Sequence, residues 1–84
     1  MLVQPRDRFS KNLKKARKFA NISQEELSER CDVHRTEISL LERAGREPRL
    51  GTIVKLAAGL GVSVESLCTG MSWDVDGQRF RFKG

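Results

Sequence analysis

The stretch from Ile22 to Glu42, ISQEELSERCDVHRTEISLLE, constrains this chain most, because it encodes two short amphipathic helices with almost no chain between them. Ser23 is a helix cap, and Glu26 three residues later is expected to reach back to the cap's own amide while Ile22 packs on Leu27. Leu27 and Cys31 stack at four-residue spacing, and after Asp32 the apolar positions restart at Val33, Ile38 and Leu41. Two helices, Gln24 to Cys31 and Arg35 to about Ala44, therefore share one small core. The chain reverses at Asp32, a residue type that tolerates a left-handed backbone at modest cost.

The flanking sequence is helical too. A first helix spans about Asp7 to Ala20 with Phe9, Leu13, Ala16 and Ala20 as its inner stripe and Asn21 at its end. Gly45 stops the third helix. Pro48 biases Glu47 away from helical angles, so Arg46 to Arg49 forms a basic loop. Leu50 to Leu60 is a fourth helix, with Ile53, Leu56, Ala57 and Leu60 inward and Gly61 as its stop. Ser63 caps a short fifth helix carrying Val64 and Leu67. After Gly70 the period changes to two. In MSWDVDGQRFRF, Asp76 and Gly77 signal a two-residue hairpin turn with positive backbone angles. That turn sets Val75 opposite Gln78, Asp74 opposite Arg79, Trp73 opposite Phe80 and Met71 opposite Phe82. One ribbon face is then Met71, Trp73, Val75, Phe80 and Phe82, an apolar face that must be covered by the helices or by a second chain. The expected fold is all-α, five helices over residues 1–70, with a C-terminal β-hairpin over 71–84 as a candidate dimerisation element.

Charge is unevenly placed. The net charge is +5, yet from Met1 to Asn21 seven Lys or Arg face Asp7 alone, while acids outnumber bases from Ile22 to Ala44. One end of the molecule is built to meet something negative. A basic first helix also suits a membrane surface, but its few apolar residues are needed for the core, and no apolar run is long enough for a signal peptide or a span. The expected location is the cytoplasm. Cys31 and Cys68 fall on apolar helix faces and read as small buried hydrophobes, and with one histidine, His34, no metal or cofactor site is expected. No nucleophile stands beside a base, so no enzymatic activity is expected.

SQEEL, then IS, LER and REP, with LAAGLGVSVESL beyond, resembles the lambda-repressor and Cro family, the XRE-type helix-turn-helix proteins, over roughly residues 6 to 70. The chain departs from that pattern at Ser28, where Ala is usual, at Asp32, where Gly is favoured, and at His34, where Ser or Thr usually caps the second helix of the motif. The resemblance implies a sequence-specific transcriptional regulator, most simply a repressor, that binds an inverted repeat in double-stranded DNA as a homodimer. Its recognition helix, the third, would lie in the major groove. Arg35 suits guanine with its two-pronged guanidinium, Thr36 offers a hydroxyl or methyl to a base, and Ser39 and Leu40 follow on the same face, Leu40 meeting either a thymine methyl or a protein neighbour. Ser23, Gln24, Arg43, Arg46 and Arg49 are the expected phosphate contacts, Gln24 by resemblance to the family's phosphate-binding glutamine. Arg17 and Glu42 match positions that the family links as a structural pair. Two related functions share this domain: a restriction-modification controller, and an antitoxin whose hairpin clamps a toxin.

Overall fold

The computed structural model describes residues 3–84. Five helices, α1 (Pro5–Phe19), α2 (Gln24–Cys31), α3 (Arg35–Glu42), α4 (Leu50–Leu60) and α5 (Val64–Leu67), precede β1 (Met71–Asp74) and β2 (Arg79–Phe82). Helix α1 packs on α3 and α5, while α2 packs on α3 and α4. Leu13, Leu27, Ile38, Leu41, Leu56 and Leu67, drawn from every helix, are fully buried at the centre. Each such side chain contributes about 1.5–3 kcal/mol by leaving water.

Helix ends decide how these short segments stop. Asn21 and Asp32 adopt left-handed angles (φ 58° and 54°) after α1 and α2, and Gly61 does so after α4. The end of α3 differs from expectation. Its left-handed residue is Ala44 (φ 58°), with the Ala44 N–H donating to Leu41 O and the Gly45 N–H donating to Leu40 O at 3.1 and 2.9 Å. Glycine serves one place later because Leu40 lies over it: a Cβ on Gly45 would come 2.3 Å from Leu40 Cδ1. Helix α1 begins two residues earlier than expected. Pro5 opens it, and the Gln4 N–H donates to Asp7 Oδ2 at 2.7 Å while the Asp7 N–H donates to the Gln4 carbonyl at 2.9 Å, so residues before Asp7 already belong to the first turn.

At α2 only half of the expected capping box forms. Ser23 Oγ accepts from the Glu26 N–H at 3.0 Å, but the Glu26 carboxylate turns to Arg30 one helical turn on, at 2.6 Å. A cation four residues away attracts it more strongly than a neutral amide. Helices α2 and α4 touch where Gly59 meets Cys31, so closely that a Cβ on Gly59 would lie 2.1 Å from the sulfur. Burial pushes the Cys31 thiol above its ordinary pKa, and Cys68 is only half-buried.

The hairpin pairs Met71 with Phe82, Ser72 with Arg81, Trp73 with Phe80 and Asp74 with Arg79, as its alternation predicts. Its turn does not. Val75 to Gln78 form a four-residue loop in which Gln78, not Asp76 or Gly77, is left-handed (φ 52°). Asp74 organises the loop by accepting from the Gly77 N–H at 3.0 Å and pairing with Arg81 at 3.2 Å and Arg79 at 3.6 Å. Those bonds, led by that from Gly77, hold its carboxyl below the usual range. The ribbon is anchored at its base. Arg8 on α1 donates to the Lys83 carbonyl and lies over the Phe82 ring, 5.9 Å from its centroid, and Met71 packs on the core. Trp73, Val75 and Phe80 stay 49%, 70% and 46% exposed. Helices α4 and α5 do not cover them.

Candidate nucleic-acid interface

The α2–turn–α3 unit is held from behind by a buried polar lock. Arg17 on α1 makes a two-pronged pair with Glu42, the last residue of α3, through Nε to Oε2 at 2.6 Å and Nη2 to Oε1 at 3.0 Å. Arg17 also donates to the Ile22 carbonyl at 2.9 Å, and Gln24 Nε2 donates to Glu42 Oε1 at 3.1 Å. The side chains of Arg17 and Glu42 are 15% and 5% exposed, so Glu42 is a charge taken out of water and matched by three donors. Hydrogen bonding to Glu42 holds the Arg17 pKa above its ordinary value. Ser10 adds a bond that pattern reading missed, its hydroxyl donating to the Glu42 carbonyl at 2.5 Å and tying the end of α3 to α1. One residue thus anchors α1, the start of α2 and the end of α3 together.

With Ile38 and Leu41 buried behind, α3 turns its other face outward. Arg35, Thr36 and Arg43 are exposed and Ser39 is half-buried. Arg35 is loosely paired with Glu25 at 3.9 Å, an exposed contact of little energy that leaves the guanidinium available. His34 caps the helix in spite of its residue type, Nδ1 accepting from the Thr36 N–H at 3.1 Å. That bond needs the neutral ring with Nδ1 unprotonated. Leu40 is half-buried and folded over Gly45, in the loop that follows its own helix.

The expected phosphate contacts surround this face on different elements. Ser23 stands at the α2 cap and Gln24 in its first turn, where Gln24 keeps one amide hydrogen beyond the one given to Glu42. Arg43 lies at the end of α3. Arg46 pairs with Glu37 at 3.2 Å. Arg49 is the N-cap residue of α4 and supplies no side-chain cap, so it stays exposed beside a shallow cleft shared with His34, Glu37 and Lys55. Lys55, which the sequence reading left out, lies there against Asp32 at 3.8 Å. Only its place on an outward face of α4 marked it in sequence. Among the described residues no group of His, Cys, Asp and Glu is placed to hold a metal ion, and no helix is long and apolar enough to cross a membrane.

A basic-rimmed helix pair of this geometry defines a class, the DNA-binding helix-turn-helix domains. The helix-turn-helix family model matches residues 13–67, and the chain belongs to that family. It is 39% identical over 61 residues to control protein C.SmaI of Serratia marcescens, covering 73% of each chain. It is 46% identical over 48 residues to control protein C.BamHI of Bacillus amyloliquefaciens, covering 57% of this chain and 59% of that one. Among solved structures it resembles the restriction-modification controller protein C.AhdI from Aeromonas hydrophila, with TM-score 0.69 and 30% identity over 71% of this chain and 91% of that one. It also resembles a hypothetical transcription factor, NHTF, from Neisseria, with TM-score 0.72 and 34% identity over 81% and 82%. The chain is a DNA-binding transcriptional regulator.

Proposed function

We propose that the protein represses transcription by binding an inverted-repeat operator as a homodimer, with α3 of each copy in the major groove. The observation that carries this reading is the exposed Arg35–Thr36–Ser39 face of a helix whose opposite side and last residue are fixed in the core. A helix so held presents its side chains without first losing the entropy of a mobile segment. Arg35 and Thr36 read bases in this proposal. Ser39 lies at the edge of the same surface and Leu40 supports it from Gly45. Ser23, Gln24, Arg43, Arg46 and Arg49 grip phosphates on either side, with Lys55 added to them. A base edge displaces Glu25 from Arg35, and a phosphate displaces the half-buried Glu37 from Arg46, at little cost because neither pair is fully out of water. The proposed division is a DNA-binding unit over residues 1–70 and a hairpin over 71–84, acting in the cytoplasm where the promoter is.

Selection of bound fragments from random duplex tests the proposal. The expected result is one two-fold symmetric motif, with half-sites about one helical turn or a multiple apart. Failure to enrich any motif would overturn it. Binding should weaken by roughly 10³–10⁵ between about 50 and 200 mM salt if six to ten phosphates are neutralised. Arg35→Ala should relax preference at one base pair by about 1–3 kcal/mol, whereas uniform weakening on all sequences would move Arg35 to the phosphate set. A second reading, control of a restriction-modification system, is supported by what the relatives are called, and such control would include activation as well as repression. A reporter behind the selected operator whose expression the protein raises as well as lowers would favour it.

A further inference from the structure

The hairpin lies outside residues 13–67, which the helix-turn-helix family model matches, and its aromatic face is used by none of the contacts described so far. Trp73, Phe80 and Phe82 line an open cleft of about 360 Å³, together with Gln4, Gln78 and Arg79. That volume falls at the lower end of the roughly 300–1,000 Å³ of small-ligand sites. Trp73 and Phe80 meet edge to face with centroids 4.9 Å apart, and Phe82 follows at 6.3 Å from Phe80, tilted against it. The three rings form a row in which none is stacked face on face with its neighbour, so flat ring surface stays open. Arg8, which holds the hairpin, and Arg17, which holds Glu42, are nine residues apart on α1, about 13 Å along its axis. The cleft therefore stands at the end of α1 away from the polar lock and the start of α2.

The lining says which occupant fits. An aliphatic side chain laid over the rings would press the Gln4 and Gln78 amides and the Arg79 guanidinium against carbon, and polar groups that lose water without a partner weaken a complex. A flat heterocycle stacks on the rings and offers those groups donors and acceptors at its edge. Charge points the same way. From Met71 to Gly84, Arg79, Arg81 and Lys83 outnumber Asp74 and Asp76, and Arg8 adds a cation over Phe82. Asp74 is already occupied by the Gly77 N–H and two of the arginines. Its contact with Arg79, at 3.6 Å and with the Arg79 side chain 64% exposed, is loose enough to give way to a phosphate. Rings for bases and cations for phosphates are the two parts that surfaces binding single strands combine. A base inside a duplex is stacked and paired and cannot offer these rings its face.

We propose that the hairpin cleft binds single-stranded nucleic acid, unpaired bases stacking on Trp73 and Phe80 while Arg79 and Lys83 meet the adjoining phosphates. The inference adds a second site to the one that reads the operator and does not rest on it.

Fluorescence of Trp73, the only tryptophan of the chain, tests this directly on the full chain. Titration with a short oligothymidylate at low salt should quench it saturably, and an abasic strand of the same length, which keeps the phosphates and lacks the rings, should not. Phe80→Leu keeps apolar bulk without a flat face and should weaken strand binding about tenfold, in the range of a lost base–aromatic stack. Phe80→Tyr keeps the ring and should bind like the parent, which separates loss of stacking from loss of the hairpin. Arg79→Ala should reduce the salt dependence by the share of one phosphate, about 0.7 in the logarithmic slope. Arg35→Ala and Arg43→Ala together should leave the quenching unchanged, and Phe80→Leu should leave duplex binding unchanged, so failure of this site and failure of the operator reading are told apart. Equal quenching by the abasic strand, or none by oligothymidylate, would overturn the proposal. Emission that shifts with protein concentration and ignores the strand would overturn it in favour of a second copy over the rings. Quenching abolished by the α3 substitutions would overturn it in favour of the recognition face, and thymidine monophosphate binding as tightly as the strand would overturn it in favour of a free nucleotide.

Discussion

The helical bundle and the hairpin are built from similar residues to opposite effect. In the bundle Phe9, Leu13, Leu56 and Leu67 come from distant positions and are buried to within 2%. In the hairpin Trp73 and Phe80 lie opposite each other on adjacent strands and stay about half exposed. The bundle is held by long-range packing around one polar lock. The hairpin is held by contacts within a dozen residues, Asp74 with its loop and the two aromatic rings with each other, plus the Arg8 anchor. Order and burial are thus separate properties, and a segment can have the first while waiting for the second.

The largest effect that would sharpen this comparison is Glu42→Ala. Removing Glu42 strands Arg17 and the Gln24 amide, and loss of about 3–5 kcal/mol is expected by analogy with broken buried pairs. Urea unfolding should show it, with the hairpin signals melting together with the bundle because their base is anchored there. Melting at the parent's midpoint would mean that the lock is not structural. Next is Gly59→Ala, where the added Cβ meets Cys31 Sγ. Overpacking of about 1–3 kcal/mol is expected, offset in part by alanine's helix preference of about 1 kcal/mol. Adding Cys31→Ala should restore stability by giving the methyl room, and a double variant no better than the single one would refute the clash.

A smaller effect is expected at His34. Loss of its cap in His34→Ala should cost about 1 kcal/mol, while His34→Ser keeps an acceptor and should melt near the parent. Equal destabilisation by both would show that the Thr36 N–H does not depend on the ring. The smallest effect on global stability is at Asp74. Its pKa is lowered in the folded hairpin, first by the Gly77 N–H and then by Arg81, so the stabilisation it provides is present above the unfolded pKa of about 3.9 and is lost as pH falls through the folded value. Protection of the β1 and β2 amides, taken relative to the intrinsic exchange rate at each pH, should therefore fall in acid in the parent and be insensitive to that change in Asp74→Asn. A parent whose strand protection stays constant in acid would remove Asp74 from the turn.

Periodicity and caps were enough to read α2 and α4 to the residue and to place the left-handed turn at Asp32, because these depend on side chains acting within a few positions of their own backbone. The strand register was legible for the same reason, since alternation leaves one pairing that keeps the aromatic residues on one face. Where two local partners competed, sequence reading failed: Glu26 had both a cap amide and Arg30 within reach, and charge decided. The hairpin turn moved to Gln78 because Asp74 could bond the loop, an option that a preference for Asp-Gly does not weigh.

Local chemistry in the sequence by itself determined the five helices, the tight turn, the alternating ribbon and the outward set of polar residues on α3. Only the tertiary structure decided what lies across from what. Ser10 reaches Glu42, Asn12 bonds the carbonyls of Leu67 and Thr69, Arg8 clasps the hairpin and Gly59 meets Cys31, contacts that span between 28 and 75 positions of chain. The same folding left Phe19 outside, although its spacing allowed either side of the helix. A side chain's periodicity states which face of an element it shares, but the face that is buried is chosen by the neighbours that come to cover it.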